Sequence, residues 1–194
     1  MFKKTKKLAL NYKNFKLLLI PAILFSNPLF NNFQYAKAGL EFQWDQDSSF
    51  RRLKWFQKEE KKRFRNTIYF FLKPKDRKTD LLKLDLVVPK TFKVTLNKDK
   101  ISLCKVRIGG FEERTKCLED IPADIEITTD DSSLKKINIY PYSPIVVANK
   151  ENYAVVFKRI TNPKRSGLYQ FHSYGQPKGK SFSSYLGSWT IVID

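Results

Sequence analysis

The sequence predicts a mainly β protein: an antiparallel β-sandwich, immunoglobulin-like or related, with one amphipathic helix close to the start of the domain. Two observations support this prediction. Short runs of residues alternate apolar and polar side chains with a period of two, and clusters of Pro, Gly, Asn, Asp and Ser separate them. About eight or nine such strands with no long helix between them are typical of an antiparallel sandwich or barrel.

The strands are predicted where β-branched and aromatic residues recur at alternating positions. The run 153–160 is more continuously apolar, as in a buried strand. In the run 167–174, the alternation places His172 on the face opposite to Tyr169 and Phe171. The predicted strands are 66–73, 82–89, 92–96, 125–128, 137–140, 153–160, 167–174 and 189–193.

The stretch FRRLKWFQKEEKKRFR at 50–65 contains no Pro or Gly, and Ser48 or Ser49 precedes it as a helix cap. At 100° per residue, its apolar side chains fall within an arc of about 120° and its basic side chains within another of about 100°. The apolar arc holds Phe50, Leu53, Phe56 and Phe64. The basic arc holds Arg51, Lys54, Lys58, Lys61, Lys62 and Arg65, with Trp55 at its margin. We therefore predict a helix with its apolar stripe on the sheet and a basic ridge outward.

The amino terminus has the layout of a secretory signal peptide. Residues 1–16 contain six lysines and no acidic residue, residues 17–25 are apolar, and Ala36 and Ala38 form a small-residue cleavage motif. We predict a signal peptide at 1–38 with cleavage before Gly39, which leaves a single β-rich domain at 39–194. Retention of the leader as a membrane anchor is the alternative, although a span needs about 20 apolar residues and this run is shorter.

The charge of the chain predicts an acidic partner. The seven lysines of 1–38 account for the step from 37 basic residues in the whole chain to 30 in residues 39–194, which keep all 19 acidic residues and a net charge of +11. Such a field attracts anionic membrane surfaces, acidic glycans, acidic proteins and nucleic acids, and export makes nucleic acid the least suitable of these. A compositional bias that favours solubility explains the charge equally well.

The candidate residues for binding an anionic surface are those of the basic ridge and of a second basic stretch near the end of the chain, with further help expected from Lys178 and Lys180. They are Arg51, Lys54, Trp55, Lys58, Lys61, Lys62, Arg65, Lys164 and Arg165. A basic amphipathic helix flanked by Trp is typical of segments that lie on anionic membranes. The plain alternative is that the ridge is a solvated face and that Trp55 covers a sheet edge.

Cys104 and Cys117 are the only cysteines, and an even number in an exported protein predicts a disulfide. Gly109-Gly110 lies between them and lets the chain reverse. A symmetric two-residue turn at these glycines would place Cys104 opposite Thr115, so we predict a longer or bulged connection. Closing a loop of this size stabilises a fold by about 3 kcal/mol on the chain-entropy estimate. A metal site built on the two cysteines lacks further ligands nearby.

No catalytic, cofactor or metal motif is recognisable in the sequence. His172 is the only histidine, which excludes any site that needs two. There is no G-x-S-x-G, no phosphate-binding glycine loop and no H-E-x-x-H. A glycosidase needs only two suitably placed carboxylates, but Glu112-Glu113 and Asp130-Asp131 lie on turn-like stretches and nothing singles out a pair. The sequence therefore predicts no enzyme and no cofactor.

The order of turn and strand motifs resembles a known family. The segments are NPKRSGLYQF at 162–171, QPKG at 176–179 and YLGSWTIVI at 185–193, preceded by Asp76-Arg77-Lys78 and Ser143-Pro144-Ile145. Together they resemble the exported cyanobacterial family known as domain of unknown function 2808. The resemblance implies export and a setting in a cyanobacterial envelope or lumen, and it supplies no catalytic residue.

The sequence thus predicts an exported, non-catalytic protein of the periplasm or cell envelope, with the thylakoid lumen as an alternative location. Its function is expected to be binding or structural, through contact with lipid headgroups or an acidic glycan. One alternative is an accessory subunit of a membrane or photosynthetic complex on the luminal or periplasmic side. A hydrolase acting on glycans is the other.

Overall fold

The computed structural model describes residues 51–110, 113–131 and 133–194, all of which lie within one compact unit, Gln43–Asp194. Within these ranges the chain forms ten strands and two single-turn 3₁₀ helices, Pro74–Asp76 and Lys98–Lys100, and it contains no α-helix. The strands are β1 (Trp55–Gln57), β2 (Arg65–Leu72), β3 (Leu81–Val88), β4 (Ile101–Arg107), β5 (Lys116–Ile121), β6 (Ala123–Thr129), β7 (Lys135–Pro141), β8 (Tyr153–Thr161), β9 (Gly167–Pro177) and β10 (Ser184–Ile193).

The strands form two five-stranded sheets in which every neighbouring pair is antiparallel. The first sheet has the order β1-β2-β8-β4-β5, and the second has the order β10-β9-β3-β7-β6. The chain crosses between the two sheets repeatedly along its length. The predicted mainly β, two-sheet architecture is confirmed.

An aromatic cluster closes the space between the two sheets. The ring of Phe70 lies 5.1 Å from that of Phe157 in its own sheet, and 4.9 and 5.1 Å from those of Phe171 and Trp189 in the other. Each such pair contributes about 0.5–1.5 kcal/mol beyond its area of burial. The indole Nε1–H of Trp189 donates to the main-chain oxygen of Phe71 at 3.0 Å, which satisfies its one polar group. The prediction that Tyr169 and Phe171 lie on the face opposite to His172 is confirmed, and both of these aromatic side chains are buried.

The helix predicted at 50–65 is wrong over the described residues 51–65. Residues 51–53 run beside β10, where the N–H of Leu53 donates to the oxygen of Ser188 at 2.8 Å and the N–H of Ser188 donates to that of Arg51 at 2.7 Å. The chain then forms β1 on the edge of β2 and turns directly into β2.

The physical reason for this difference is that two open sheet edges compete for the segment. Burial along it has a period of two, with Leu53 and Gln57 buried and Lys54, Phe56 and Lys58 exposed. Covering the edges of both sheets satisfies main-chain groups that a surface helix would leave unpaired. Helix propensity is a weak preference by comparison. The expected cap at Ser48 or Ser49, and Phe50 itself, lie outside the described residues.

The run 92–96 was also predicted as a strand, and it forms none. Phe92 and Val94 are buried in the main core, but the N–H of Val94 donates to the oxygen of Phe92 at 2.8 Å and that of Lys93 to the oxygen of Thr91 at 2.9 Å. These short-range bonds replace a ladder. Alternation here reflects burial in a compact loop, which period-two patterning cannot distinguish from a strand.

The disulfide joins β4 to β5, two strands that the sequence did not predict. The Cα atoms of Cys104 and Cys117 are 5.8 Å apart. The register passes from Val106 opposite Cys117 to Lys105 opposite Glu119, so Leu118 is an extra residue in the ladder. Both the predicted bond and the predicted bulged connection are confirmed.

The predicted signal peptide, with Ala36, Ala38 and Gly39 at its cleavage point, lies outside the described residues. Its removal and the domain boundary at 39 therefore stay predictions. In the part of the chain that the structure describes, no helix has the length and apolar character needed to cross a membrane.

Candidate anion-binding site

Two neighbouring loops at one end of the sandwich carry several exposed cations. They are residues 58–64, between β1 and β2, and residues 162–166, between β8 and β9. The main-chain N–H of Arg63 donates to the oxygen of Pro163 at 3.2 Å, which joins the loops directly. The two loops therefore act as a single surface.

A pair of buried asparagines fixes this surface from below. The side-chain amide of Asn66 donates to Oδ1 of Asn162 at 3.0 Å. The amide of Asn162 donates in turn to the main-chain oxygens of Glu59 and Lys61 at 3.1 and 2.9 Å. Oδ1 of Asn66 accepts the N–H groups of Lys58 and Glu59 at 3.1 and 3.0 Å. These bonds determine the path of the first loop without using any of its basic side chains.

We call the seven exposed cations on and beside these loops the basic loop cluster. They are Lys58, Lys61, Lys62, Arg63, Arg65, Lys164 and Arg165. None of them forms an ion pair within the described residues. A carboxylate oxygen of Glu59 accepts the N–H groups of Glu60 and Lys61, and the N–H of Asp194 donates to the oxygen of Glu60. Cations outnumber these acids, so the surface is electropositive.

An exposed aromatic ring lies within this cluster. Phe64 is 56% exposed, and Nζ of Lys61 lies 5.9 Å from its ring centroid. Leu168, at the start of β9, is 57% exposed. Aromatic and aliphatic side chains surrounded by cations are typical of surfaces that bind the interface of an anionic membrane.

A shallow basic hollow of about 430 Å³ adjoins the cluster. It is lined by Arg65, Asp99, Lys100, Lys158 and Arg159. Lys158 is the only one of these in an ion pair among the described residues, with Asp120 at 3.5 Å. The hollow has the concave shape and the charge needed for a phosphate or carboxylate headgroup.

Two arginines at this end have left-handed backbone conformations. Arg63 has φ 66° in the β1–β2 loop, and Arg159 has φ 52° where β8 bulges against β2. Such conformations cost on the order of 1–3 kcal/mol each for a residue with a side chain, and they are frequent at functional sites. The N–H of Arg159 is held by Oγ1 of Thr67 at 3.3 Å.

The structure brings together six of the nine residues predicted for an anionic surface, namely Lys58, Lys61, Lys62, Arg65, Lys164 and Arg165. The other three lie elsewhere. Arg51 is at the opposite end, bonded to the main-chain oxygen of Lys75 and paired with Asp76 at 3.3 Å. Lys54 is exposed before β1, and Trp55 packs against the main core. The single helical ridge is therefore wrong, and Arg63 and Arg159 are the residues that the helical pattern missed.

The only histidine belongs to a polar network on the second sheet. Nδ1 of His172 lies 2.8 Å from Oγ of Ser188, which is also 2.6 Å from the hydroxyl of Tyr185. Burial lowers the pKa of His172. Ser188 is fully buried and its N–H donates to the oxygen of Arg51, so the network joins β9 to β10.

One cluster with metal-ligand composition exists among the described residues. The ligand atoms of Cys104, Cys117 and Asp120 all lie within 4.8 Å of one another. Because the two sulfurs are bonded to each other, neither is a thiolate, and a metal would need both as thiolates.

Several solved structures are similar to this chain at low identity. The match to BslA, a bacterial hydrophobin, has 12% identity and a TM-score of 0.43 and covers 74% of this chain and 97% of that one. The collagen-binding domain of a Staphylococcus aureus adhesin has 12% identity and a TM-score of 0.34, over 67% and 87% of the two chains. The collagen adhesin of S. aureus has 13% identity and a TM-score of 0.34, over 68% and 45%. All three TM-scores lie below 0.5, and these likenesses support no conclusion about function.

No curated protein matches the sequence at a significant level. A family profile, in contrast, matches residues 44–193, which include every strand described above. The match agrees with the resemblance seen in the order of turn and strand motifs. The chain belongs to the family described as Protein of unknown function (DUF2808).

Proposed function

We propose that this protein is an exported, non-catalytic binding protein that uses the basic loop cluster to dock on an anionic membrane surface. The observation that supports the proposal is a set of seven exposed cations without ion-pair partners in the described chain, together with the exposed ring of Phe64 beside Lys61. The lysine-rich leader and the Cys104–Cys117 disulfide support export.

The energetics of such docking combine a charge term and an apolar term. A Lys or Arg near an anionic lipid surface contributes about 1 kcal/mol, and salt screens this contribution. Inserting the ring of Phe64 adds a contribution that salt does not screen. The Asn66–Asn162 pair holds the loops in place before binding, which reduces the ordering cost.

Vesicle sedimentation tests the proposal. We expect the protein to bind vesicles of phosphatidylglycerol and phosphatidylcholine at least tenfold more tightly than vesicles of phosphatidylcholine alone at about 0.1 M salt. The triple variant K61Q/K62Q/K164Q should lose most of this binding. Its matched control is K78Q/K178Q/K180Q, which removes the same charge from exposed lysines near the other end of the sandwich. Equal losses in both variants would mean that net charge alone is responsible.

Two further outcomes would overturn the proposal. Binding to acidic polysaccharide that depends on the basic loop cluster, without binding to anionic vesicles, would identify a glycan as the ligand. Stoichiometric co-purification with a membrane complex at high salt, without binding to lipid vesicles, would identify an accessory subunit, because a purely electrostatic contact is screened under those conditions.

A further inference from the structure

The chain covers one side of the sandwich and leaves the other side open. On the covered side, residues 51–57 lie along β10 and β2, and the side-chain amide of Gln57 donates to the main-chain oxygen of Val192 at 2.7 Å. Leu53 is only 1% exposed there. On the other side, β5 and β6 are joined by Pro122 alone and are the last strands of their sheets. An uncovered edge strand is a template for pairing with another chain.

The register of β6 shows which of its main-chain groups face outward. The N–H of Tyr142 donates to the oxygen of Pro122 at 3.0 Å, and the N–H of Asp130 donates to the oxygen of Leu134 at 3.1 Å. Between these two bonds, β6 pairs with β7 without a shift in register. Because hydrogen-bonded positions alternate in an antiparallel pair, the even-numbered residues of β6 bond to β7 and the odd-numbered residues point away from it.

The outward main-chain groups belong to Ala123, Ile125 and Ile127. Within the described residues, no hydrogen bond uses the N–H or C=O groups of these three residues. The single-turn helix Lys98–Lys100 approaches β6 but forms no hydrogen bond with it. The side chains of the same three residues are only partly buried at the rim of the main core. An added strand would therefore gain main-chain hydrogen bonds and cover apolar surface.

β5 is less suited than β6 to pairing with another strand. Its ladder with β4 contains the extra residue Leu118, and such a bulge twists an edge away from an incoming strand. Two of its acids are already paired within the chain, Glu119 with Lys105 at 2.9 Å and Asp120 with Lys158 at 3.5 Å. β6 has neither of these features, since its register is regular along its whole length.

The outer side of β6 is acidic, although the chain as a whole is basic. Residues 119–131 contain six acidic residues and no basic one. Asp124 and Glu126 alternate with the core-facing isoleucines, are exposed, and form no ion pair within the described residues. The hydroxyl of Tyr142 donates to Asp124 at 3.0 Å. Cations directly opposite such acids stabilise strand pairing, whereas acids in the same positions destabilise it.

We propose that β6 binds an extended basic segment of another protein as an added antiparallel strand of the second sheet. The segment places lysine or arginine opposite Asp124 and Glu126, and apolar residues opposite Ile125 and Ile127. A second copy of this chain, pairing β6 with β6, would instead bring acids against acids. The inference goes beyond the proposed function, because this edge shares no residue with the basic loop cluster and binds a partner of the opposite charge.

A short synthetic peptide tests the proposal on the purified disulfide-bonded protein. The peptide has about seven residues, alternates lysine with valine, and carries a fluorophore at one end. Its control has the same composition with all lysines before all valines, which keeps the charge and removes the alternation. Fluorescence anisotropy at about 0.1 M salt should show at least tenfold tighter binding of the alternating peptide.

Methylation of single peptide nitrogens separates strand pairing from charge attraction. In the proposed register, the valines opposite Ile125 and Ile127 direct their N–H groups toward β6, and the lysines direct theirs toward solvent. N-methylation of the central valine should therefore weaken binding at least tenfold, whereas N-methylation of a neighbouring lysine should change it by no more than about twofold. Equal binding of the two methylated peptides would overturn the proposal.

Protein variants locate the bound peptide. D124N/E126Q removes two exposed charges and keeps an acceptor for the hydroxyl of Tyr142, and it should bind the alternating peptide at least fivefold more weakly. The matched control is E60Q/D194N, which removes the same charge from exposed residues on the covered side. This control should bind the peptide as the unmodified protein does. Equal losses in both variants would mean that net charge alone attracts the peptide, and would overturn the proposal.

Two further results would overturn the proposal. No binding of the alternating peptide, with binding to anionic vesicles intact, would remove the β6 site and leave the proposed function standing. A dimer in solution that D124N/E126Q strengthens would identify a second copy of the chain as the occupant of this edge. Loss of peptide binding in D124N/E126Q, with binding to anionic vesicles unchanged, is the result expected from two separate sites.

Discussion

The two ends of the sandwich both contain cations, but they use them differently. At the end that holds the start of β3, the guanidinium of Arg77 is buried, stacks 4.5 Å from the ring of Tyr153 and donates to the main-chain oxygens of Val146 and Glu151 at 3.3 and 2.6 Å. At the other end, the side chains of the basic loop cluster are exposed. The loops that carry them are held by hydrogen bonds from the amide of Asn66 to Asn162 and from the amide of Asn162 to main-chain oxygens.

The difference indicates which charges the fold requires. Arg77 belongs to a network inside the chain: the hydroxyl of Tyr153 donates to Glu151 at 2.9 Å, and Nζ of Lys105 pairs with Glu151 at 3.2 Å. Burial lowers the pKa of Arg77, which the surrounding acceptors partly oppose. In the basic loop cluster, the loops are shaped by neutral amides and the charges remain available for an external partner.

The largest expected effect is the loss of Arg77. Arg77→Met would leave the oxygens of Val146 and Glu151 without a donor in a buried site, and we expect a loss of about 3 kcal/mol or more in the free energy of unfolding. Urea denaturation measures it. Lys78→Met, at the exposed neighbouring position, should stay within about 0.5 kcal/mol of the unmodified protein. A similarly small change for Arg77→Met would contradict the structural role given to this end.

The next effect is the loss of the asparagine pair. Asn162→Ala removes two donated bonds and leaves the amide of Asn66 unpaired, and we expect the free energy of unfolding to fall by about 2 kcal/mol. Binding to anionic vesicles should also weaken several-fold, because the loops would no longer be ordered before binding. Asn149→Ala, at an exposed loop position, is the control. Unchanged vesicle binding by a destabilised Asn162→Ala would show that the loop arrangement is irrelevant to docking.

Arg77 and Asn162 also show how much could be predicted from the sequence. The Asn162-Pro163 turn and the Asp76-Arg77 segment were found as motifs because turn residues recur in a recognisable order. Their partners were not, since Asn66 lies 96 positions before Asn162 and Arg77 bonds 69 and 74 positions ahead. Sequence patterns show that such residues lie in turn motifs, but they carry no information about which distant groups the side chains bond.

The strands show a similar limit. β3, β9 and β10 are predicted by alternating apolar and polar residues, and β2 and β8 by runs rich in apolar, aromatic and β-branched residues. The charged sequence of β5, in contrast, hides a strand in which four of six residues are exposed. The segment 51–65 has apolar spacing that fits a helix, and only the open edges beside Ser188 and Phe70 decide otherwise. Local charge therefore predicts six of the seven cations of the basic loop cluster, whereas their arrangement on two adjoining loops depends on the tertiary structure.

A smaller effect should appear in the pH dependence of stability. The hydrogen bond from Tyr153, with help from Lys105, lowers the pKa of Glu151 below its ordinary value of 4.5. A carboxylate whose pKa is lowered by folding stabilises the fold at pH values above its pKa in the unfolded chain. This contribution is lost as the pH falls through the pKa of the folded state.

Glu151→Gln should therefore reduce stability near neutral pH and flatten the decline of stability below about pH 4.5. Urea midpoints between pH 3 and pH 7 (about one unit apart), with Glu126→Gln as control, measure the difference. Parallel curves for Glu151→Gln and the unmodified protein would remove Glu151 from the network.

The smallest expected effect on stability belongs to the basic loop cluster itself. K61Q/K62Q/K164Q removes three exposed charges that have no ion-pair partner in the described chain, so the free energy of unfolding should change by no more than about 0.5 kcal/mol. A slight gain is the expected direction, because like charges on adjoining loops repel one another. The same urea titration that measures Arg77→Met measures this change. A loss above about 1 kcal/mol would mean that these cations support the fold, as Arg77 does, and the contrast between the two ends would fail.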